Sequence, residues 1–229
     1  MAYKAVLFDA YGTLLDVDSA ASQLAASGRF DSLASQWPEL SSLWRNRQLS
    51  YSWLRSVSGH PVPFWQITCD ALDYSLEVYG LDREPGLRDA LLDLYRTLQA
   101  YPEAGSVVEM LKAAGVKTAV LSNGNHQMLE DAFSAAGLRQ QIGALLSAED
   151  ADIFKPSPAV YQLGCDAFDA SPDELLFVSA NGWDIAGASQ FGFATFWVNR
   201  AGLPTERLDG RPDRIGSTLD DVPHLVAPT

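Results

Sequence analysis

Cysteine and histidine are scarce in this sequence, which has two cysteines and three histidines in 229 residues. Cys69 and Cys165 stand far apart, so we expect neither a disulfide framework nor a metal site with paired cysteines. The histidines lie in a Gly-Pro turn (His60), at a helix start (His126) and near the end of the chain (His224). We therefore expect ordinary core or near-surface thiols and no catalytic histidine.

Basic residues are also few. Sixteen Lys and Arg stand against 29 Asp and Glu, which gives a formal net charge of −13. This charge argues against a nucleic acid or an anionic membrane surface as a partner. It does not exclude a small anionic substrate, because salt screens charges beyond about 8 Å and the few cations that line a pocket matter more than the total.

Long apolar runs are absent as well, since no stretch approaches the 18 uncharged apolar residues of a membrane span. The N-terminus enters a strand without the basic and apolar regions of a signal peptide, so we expect a cytoplasmic protein. The chain does have 47% hydrophobic residues and 10% aromatics, which indicates a globular protein with a substantial core. We expect disorder only in the tail VAPT.

Short β-rich segments alternate with helical patterns at the start of the chain and from about residue 100 onward. These segments are KAVLFDA, VKTAVLSN, GALLSAE, ELLFVSAN and FATFWVNR. The alternation predicts an α/β fold with a Rossmann-like parallel sheet. Residues 16–99 show long helical periodicity instead. They predict a helical cap subdomain inserted between the two parts, 1–15 and 100–229, of the core domain.

Each of the three clearest strands ends in polar residues. Asp9 follows the first, Ser122 and Asn123 end the second, and Ser179 and Asn181 follow the third. The ligand crevice of an open α/β sheet lies at the carboxyl ends of its strands, so we expect these side chains to converge there. A buried carboxylate is costly unless it is paired, bound to a metal or used in chemistry. Asp9 therefore marks the expected reaction centre.

Four motifs occur in the order FDAYGTLLDV, LSNG, FKPSPAVY and FVSANGWDIAGA, around an insert that carries LWRNRQLSYSWL. Together they resemble the haloacid dehalogenase superfamily and, within it, the L-2-haloacid dehalogenases. The resemblance spans essentially the whole chain. It implies that Asp9 is a covalent nucleophile, a role that a carboxylate can fill when it is rigid and partly desolvated.

The residue two positions after Asp9 distinguishes dehalogenases from phosphatases of this superfamily. The phosphatases carry a second aspartate there beside Mg²⁺, whereas this chain has Tyr11. Phosphoryl transfer needs a cation to neutralise the developing charge, and a tyrosine cannot supply it. The resemblance therefore implies a site without metal or cofactor.

Thr13, Ser122 and Asn123 offer donors that suit an anion, although Ser and Asn are also common in turns and helix caps. By resemblance, Ser122 and neighbouring backbone amides hold the substrate carboxylate. Asn123 contributes to the halide cradle, and Tyr11 is among the substrate-binding residues.

The last two motifs supply the remaining polar candidates. By resemblance, Lys155 keeps the nucleophilic aspartate ionised, because an opposite charge nearby favours the charged form. Tyr161 reaches the pocket, with core packing as the alternative. Asp184 orients Lys155 or assists the hydrolytic water, and Ser179 and Asn181 help to position that water and the nucleophile.

The insert offers two arginines, and helical periodicity does not choose between them. Arg45 shares a face with Gln48, Leu49 and Ser52, while Arg47 lies in an apolar stripe on the adjacent face. The stripe consists of Leu40, Leu43, Trp44, Tyr51 and Leu54. In the family the arginine follows the tryptophan, which selects Arg45 to bind the halide or the substrate carboxylate. A guanidinium suits either task.

The resemblance implies a hydrolase that converts a small 2-haloacid, a short L-2-haloalkanoate, to a 2-hydroxy acid with inversion, through an aspartyl ester and in a homodimer. Leu49, Trp53, Phe64 and Trp183 are candidates for the apolar lining, with ordinary core packing as the alternative. Fluoroacetate defluorination is a subtype that the sequence does not decide. The alternatives are a Mg²⁺-dependent phosphatase on the same fold and a catalytically idle relative that binds small acids.

Overall fold

Six strands form one sheet in the computed structural model, which describes residues 3–226. They are β1 (Ala5–Phe8), β2 (Lys117–Ser122), β3 (Ala144–Ser147), β4 (Leu175–Ser179), β5 (Ala194–Val198) and β6 (Arg214–Gly216). Neighbouring strands are parallel, and their spatial order is β3-β2-β1-β4-β5-β6. The predicted α/β fold with a parallel sheet is therefore confirmed. The predicted segments contain the first five strands, whereas the three-residue edge strand β6 was not predicted.

Ten helices accompany the sheet within the described residues. They are α1 (Ser19–Ala26), α2 (Asp31–Ala34), α3 (Trp37–Ser58), α4 (Phe64–Val78), α5 (Leu87–Arg96), α6 (Ala104–Ala113), α7 (His126–Ala135), α8 (Pro158–Phe168), α9 (Gly182–Phe191) and α10 (Val222–Val226). On the sheet, α6 packs against β2, α7 against β3, and α9 against β4 and β5. None of these helices is long and apolar enough to cross a membrane.

The central strands read as continuous apolar runs because they are buried on both faces, as is usual in parallel sheets. All residues of β1 (AVLF) and β4 (LLFVS) are buried. The thiols are free, with Cys165 buried and Cys69 partly exposed. In the predicted disordered tail, Val226 ends α10, and residues 227–229 lie outside the described residues.

The two ends of the helical segment lie side by side. The Asp16 N–H donates to Gln99 O at 2.8 Å, and the Tyr101 N–H donates to Leu14 O at 2.9 Å. Helices α1 to α5 therefore leave and rejoin the sheet region at neighbouring backbone positions. This arrangement supports our proposed division into a core of residues 1–15 and 100–229 and a cap of residues 16–99.

The apolar stripe on α3 does not define its buried face, since Leu54 is 64% exposed. The buried residues are Leu40, Ser41, Trp44, Gln48, Leu49 and Ser52. The three polar members are hydrogen-bonded: Ser41 to Asp18, Gln48 to Thr68, and Ser52 to the Leu49 carbonyl. The positions of apolar residues alone therefore do not predict the buried face of α3, because hydrogen-bonded polar groups can be buried at little cost.

Candidate active site

Asp9 follows β1 directly, and donors from several elements hold its carboxylate. Its Oδ2 accepts hydrogen bonds from Thr13 Oγ1 at 2.9 Å and from Asn181 Nδ2 at 2.7 Å. Thr13 Oγ1 in turn accepts the Ala180 N–H at 2.9 Å, which directs the hydroxyl proton towards Asp9. The other oxygen of Asp9, Oδ1, lies 3.3 Å from Lys155 Nζ. The carboxylate is thus buried, fixed and asymmetrically bonded.

Lys155 lies between two carboxylates. Its Nζ is 3.3 Å from Asp9 Oδ1 and 2.9 Å from Asp184 Oδ2, and its side chain is 1% exposed. The Lys155 backbone N–H donates to Asn123 Oδ1 at 2.8 Å, so the chain before α8 is tied to the end of β2. A buried ammonium of this kind persists only when it is paired, and here both partners belong to the candidate site.

Asp184 lies in the first turn of α9 and is completely buried. Burial raises the pKa of Asp184 to about 6, and the Lys155 ammonium opposes the increase. Tyr161 OH donates to Asp184 Oδ1 at 2.8 Å, and burial raises the pKa of Tyr161 so that the phenol keeps its proton. Ser179 Oγ lies 3.3 Å from Asp184 Oδ2 and accepts the Asn181 N–H at 3.1 Å.

A small cavity lies beside Asp9, where the cap helices meet the ends of the strands. It is lined by Asp9, Tyr11, Arg45, Leu49, Phe64, Ser122, Asn123, Lys155 and Trp183. These include every residue predicted to bind substrate or halide. Thr13, Ser179, Asn181 and Asp184 are hydrogen-bonded to lining residues but do not line the cavity, and Tyr161 is linked to the site through its hydrogen bond to Asp184.

Comparisons with known proteins identify the family of this chain. The chain matches the family model of the haloacid dehalogenase-like hydrolases over residues 3–192. The chain belongs to this family. It is 45% identical to (S)-2-haloacid dehalogenase 1 of Pseudomonas sp. (strain CBS-3) over 223 residues, which cover 97% of this chain and 96% of the relative.

Two solved structures show how far the similarity extends. A dehalogenase solved with an intermediate complex has a TM-score of 0.93 and 41% identity, covering 100% of this chain and 99% of that chain. The L-2-haloacid dehalogenase from Xanthobacter autotrophicus with covalently bound chloropropionic acid has a TM-score of 0.86 and 33% identity, covering 98% of both chains. The match thus includes the helical segment as well as the hydrolase sheet.

The two arginines of α3 lie in different surroundings in this hydrolase. Arg45 lines the cavity, where its Nη2 donates to Tyr11 O at 3.3 Å and its Nη1 to Gln48 Oε1 at 2.8 Å. Arg47 instead places its guanidinium 4.2 Å from the ring centroid of Tyr74. The structure therefore brings Arg45, and not Arg47, to the candidate site.

Trp53 supports the lining without forming part of it. Its Nε1 donates to Lys155 O at 3.2 Å, and its ring packs edge-on against Trp183 at 5.3 Å between centroids. Ser122 Oγ accepts the Gly124 N–H at 3.1 Å and so also stabilises the turn after β2. A side chain at position 124 would collide with Tyr11, because a Cβ atom there would lie 2.8 Å from the Tyr11 ring.

Two groups that contact the site were missed by the sequence analysis. Gln48, Thr68 and Tyr95 form a buried polar cluster behind Arg45. Arg200 donates to Gly12 O at 3.2 Å and Thr13 O at 3.0 Å, and so anchors the loop after β1. The available signals were a glutamine one helical turn after Arg45 and the arginine that ends the segment FATFWVNR, two residues after β5.

The activity is expected to fall as the pH decreases through about 6, because Asp184, whose pKa burial raises to about 6, then loses the charge that holds Lys155. Below that value kcat/KM should fall about tenfold per pH unit. A carboxyl with a raised pKa binds its proton more tightly in the folded state, so its protonation between about pH 6 and 4 stabilises the fold. Unfolding through Asp184 therefore cannot cause the decrease.

The pH profile is measured with circular dichroism at each pH, and His126→Gln is the matched control. Histidine is the usual origin of a titration near neutral pH, and His126 pairs with Asp150 at 2.9 Å on the surface. His126→Gln should show the same decrease in kcat/KM at low pH as the wild type. A kcat/KM that stays constant down to pH 4.5 would contradict the role of Asp184. So would a His126→Gln variant in which kcat/KM no longer decreases at low pH.

Proposed function

We propose that this hydrolase converts short L-2-haloalkanoates, haloacetates included, to 2-hydroxy acids with inversion at C2. The observation that carries the proposal is the asymmetric bonding of Asp9. Two side-chain donors within 3 Å hold Oδ2, while Oδ1 has a single hydrogen-bond partner among residues 3–226, Lys155 at 3.3 Å. Oδ1 thus keeps lone pairs available for attack. The Pseudomonas and Xanthobacter relatives, which are dehalogenases of such acids by name, support the same substrate class.

In the first step, Asp9 Oδ1 attacks C2 from the side opposite the halogen. A C–O ester bond forms, the carbon–halogen bond breaks, and the halide leaves with the bonding electrons. Ser122 and the neighbouring backbone amides hold the substrate carboxylate against the N-terminus of α7, where the helix dipole favours an anion. The covalent chloropropionic acid in the Xanthobacter enzyme supports an intermediate of this kind.

Arg45 and Asn123 stabilise the departing halide. Asn123 Oδ1 accepts the Lys155 N–H at 2.8 Å, and this bond orients the amide so that Nδ2 is its remaining donor. Asn123 Nδ2 makes no hydrogen bond to residues 3–226. Preorganised donors of this type act most strongly where charge develops in the transition state.

In the second step, water attacks Cγ of the ester. The water hydroxyl joins Cγ, and the bond between Cγ and the ester oxygen breaks. The departing alkoxide keeps the oxygen that Asp9 contributed and takes the proton of the new Cγ hydroxyl, so the 2-hydroxy acid leaves and the Asp9 carboxylate is restored. We assign one proton of the water to the Lys155–Asp184 pair, because Lys155 links the Asp184 carboxylate to Asp9. Asn181 and Ser179 hold the Asp9 carboxyl in place during this attack.

The residues present do not fit a magnesium ion. Mg²⁺ takes near-octahedral oxygen ligands, usually carboxylates and water. Here the Asp9 and Asp184 carboxylates already share the Lys155 ammonium. The residue two positions after Asp9 is Tyr11, whose ring stacks on Tyr95 at 5.7 Å. The proposed reaction therefore proceeds without a metal, in contrast to the phosphatase alternative.

Ion chromatography of released halide tests the proposal. Fluoro-, chloro- and bromoacetate and both enantiomers of 2-chloropropionate are supplied with excess EDTA. We expect chloride from chloroacetate and L-2-chloropropionate, and much slower release from the D enantiomer, whose inverted C2 cannot offer the same rear face. The cavity beside Asp9 is small, which favours acids of two or three carbons, and fluoride from fluoroacetate would add the defluorinating subtype.

The control reaction is p-nitrophenyl phosphate with Mg²⁺. Phosphate release there, together with chloride release that EDTA abolishes, would contradict the proposed function. Absence of halide from every acid in the panel would instead support the catalytically idle alternative.

A further inference from the structure

A buried chain of polar groups lies behind Arg45, outside the lining of the cavity beside Asp9. Gln48, Thr68 and Tyr95 are 1%, 0% and 4% exposed, respectively. They come from three different cap helices, α3, α4 and α5. Such groups are costly to bury unless every donor and acceptor is paired, so their bonding pattern is tightly constrained.

The direction of each hydrogen bond follows from the backbone of α4. Thr68 Oγ1 donates its only proton to Phe64 O at 2.9 Å. It is therefore an acceptor towards Gln48, and Gln48 Nε2 donates to it at 2.7 Å. The Gln48 amide must then turn Oε1 the other way, where it accepts from Arg45 Nη1 at 2.8 Å. A neutral amide can be flipped, but here the hydroxyl of Thr68 selects one orientation.

The other amino group of the Arg45 guanidinium, Nη2, has its own acceptor. Arg45 Nη2 donates to Tyr11 O at 3.3 Å, and the Tyr11 ring stacks on Tyr95 with 15° between the ring planes. Tyr95 OH also contacts both ends of the Gln48 amide, at 3.1 and 3.2 Å. Two acceptors on different elements thus define the plane of the guanidinium.

We propose that Thr68 and Gln48 are positioning residues that fix the orientation of the Arg45 guanidinium towards the leaving halide. The inference rests on the proposed function for its effect on catalysis, and on the hydrogen-bond directions for its geometry. Without the Thr68 hydroxyl, the Gln48 amide is free to turn Nε2 towards Arg45, and two donors then face each other. Arg45 loses one of its two acceptors and its fixed plane.

The test variant is Thr68→Val, which replaces the hydroxyl by a methyl group of similar size. Thr68→Ser keeps the hydroxyl and should restore the wild-type behaviour. Ser75→Ala is the matched control, because Ser75 is also buried on α4 and donates to the carbonyl four residues earlier, at 2.7 Å to Ala71 O. Ser75 has no hydrogen bond to Gln48 or Arg45. If Thr68→Val does not fold, Gln48→Met serves the same test.

We expect Thr68→Val to lower kcat for L-2-chloropropionate about tenfold, the factor that loss of roughly one net hydrogen bond gives. In an Arg45→Ala background the same substitution should change kcat less than twofold, because the group that it positions is gone. Thr68→Ser and Ser75→Ala should stay within twofold of the wild type. Equal losses in both backgrounds, or no loss in the wild type, would overturn the proposal.

A readout that does not depend on dehalogenation uses protein labelled with ¹⁵N-arginine. The Arg45 side-chain signal is assigned by its absence in Arg45→Ala. Thr68→Val should shift or broaden this signal, while Ser75→Ala should leave it unchanged. An Arg45 signal that is unaffected in Thr68→Val would overturn the positioning role. Failure of the wild type to release halide would instead overturn the proposed function, and the two failures are thereby distinguished.

Discussion

Asp9→Asn is expected to lower halide release from L-2-chloropropionate by at least about four orders of magnitude, the scale for removal of a covalent nucleophile. An amide oxygen carries no full negative charge and is a poor nucleophile towards C2. The side chain has nearly the same shape, so Thr13 and Asn181 can still surround it, and Lys155 keeps Asp184 as a partner at 2.9 Å. The measurement is the initial rate by ion chromatography, with folding checked by circular dichroism.

Asp16→Asn is the matched control for this variant. Asp16 lies at the end of the same loop, where its Oδ1 accepts the Asp18 N–H at 3.0 Å, and it does not line the cavity. Its rate should stay within about threefold of the wild type, as expected for a substitution away from reacting groups. Retention of more than about 1% activity by Asp9→Asn would be inconsistent with a nucleophilic role.

Arg45→Ala is expected to lower kcat by at least about two orders of magnitude, the scale for loss of one preorganised charge stabiliser. The guanidinium lines the cavity and has no carboxylate partner among the ion pairs of the described residues, so its charge is available to an anion. The loss should be larger for chloride than for bromide as the leaving group, because the poorer leaving group depends more on stabilisation. Steady-state kinetics with L-2-chloro- and L-2-bromopropionate measures both effects.

Arg47→Ala separates the two arginines. Arg47 Nη2 donates to Tyr74 OH at 3.0 Å, and its guanidinium lies over the Tyr74 ring away from the cavity. Its removal should cost about 0.5–1 kcal/mol of stability, the range for an exposed cation–π contact, with kcat nearly unchanged. If Arg47→Ala lost the activity and Arg45→Ala kept it, the choice of Arg45 from the family resemblance would be wrong.

Much of the fold could be predicted because buried parallel strands leave a clear trace in the sequence. The segments KAVLFDA and ELLFVSAN carry the uninterrupted apolar runs AVLF and LLFV, and they contain β1 and β4. The edge strand β6 has no such apolar run, because it is short and its residues Arg214 and Ile215 are exposed. The buried face of α3 was equally hidden, since Gln48 and Ser52 are buried through hydrogen bonds and not through apolarity.

The candidate site could be predicted where chain order and strand direction place residues together. Asp9, Ser122 and Ser179 end parallel strands, so their convergence follows from the sheet. The contacts behind Arg45 could not be predicted, because they depend on how three cap helices pack. Gln48 and Tyr95 are 47 residues apart in the sequence, and no periodicity records their 3.1 Å contact.

The central claim is that Asp9 is a nucleophile and not a base, and a single turnover in H₂¹⁸O tests it most directly. Loss of activity in Asp9→Asn fits both roles, whereas the path of the oxygen differs between them. Water that attacks Cγ of the ester leaves its oxygen on the enzyme, and the product takes an oxygen from Asp9. A base would instead direct solvent oxygen to C2.

Enzyme is used in excess over L-2-chloropropionate, and the tryptic peptide of residues 5–29, which contains Asp9, is analysed by fragmentation mass spectrometry. We predict unlabelled D-lactate and a peptide that is heavier by one ¹⁸O located on Asp9. Fully labelled lactate in this first turnover, with an unlabelled peptide, would contradict the ester intermediate and leave Asp9 as a base that activates water.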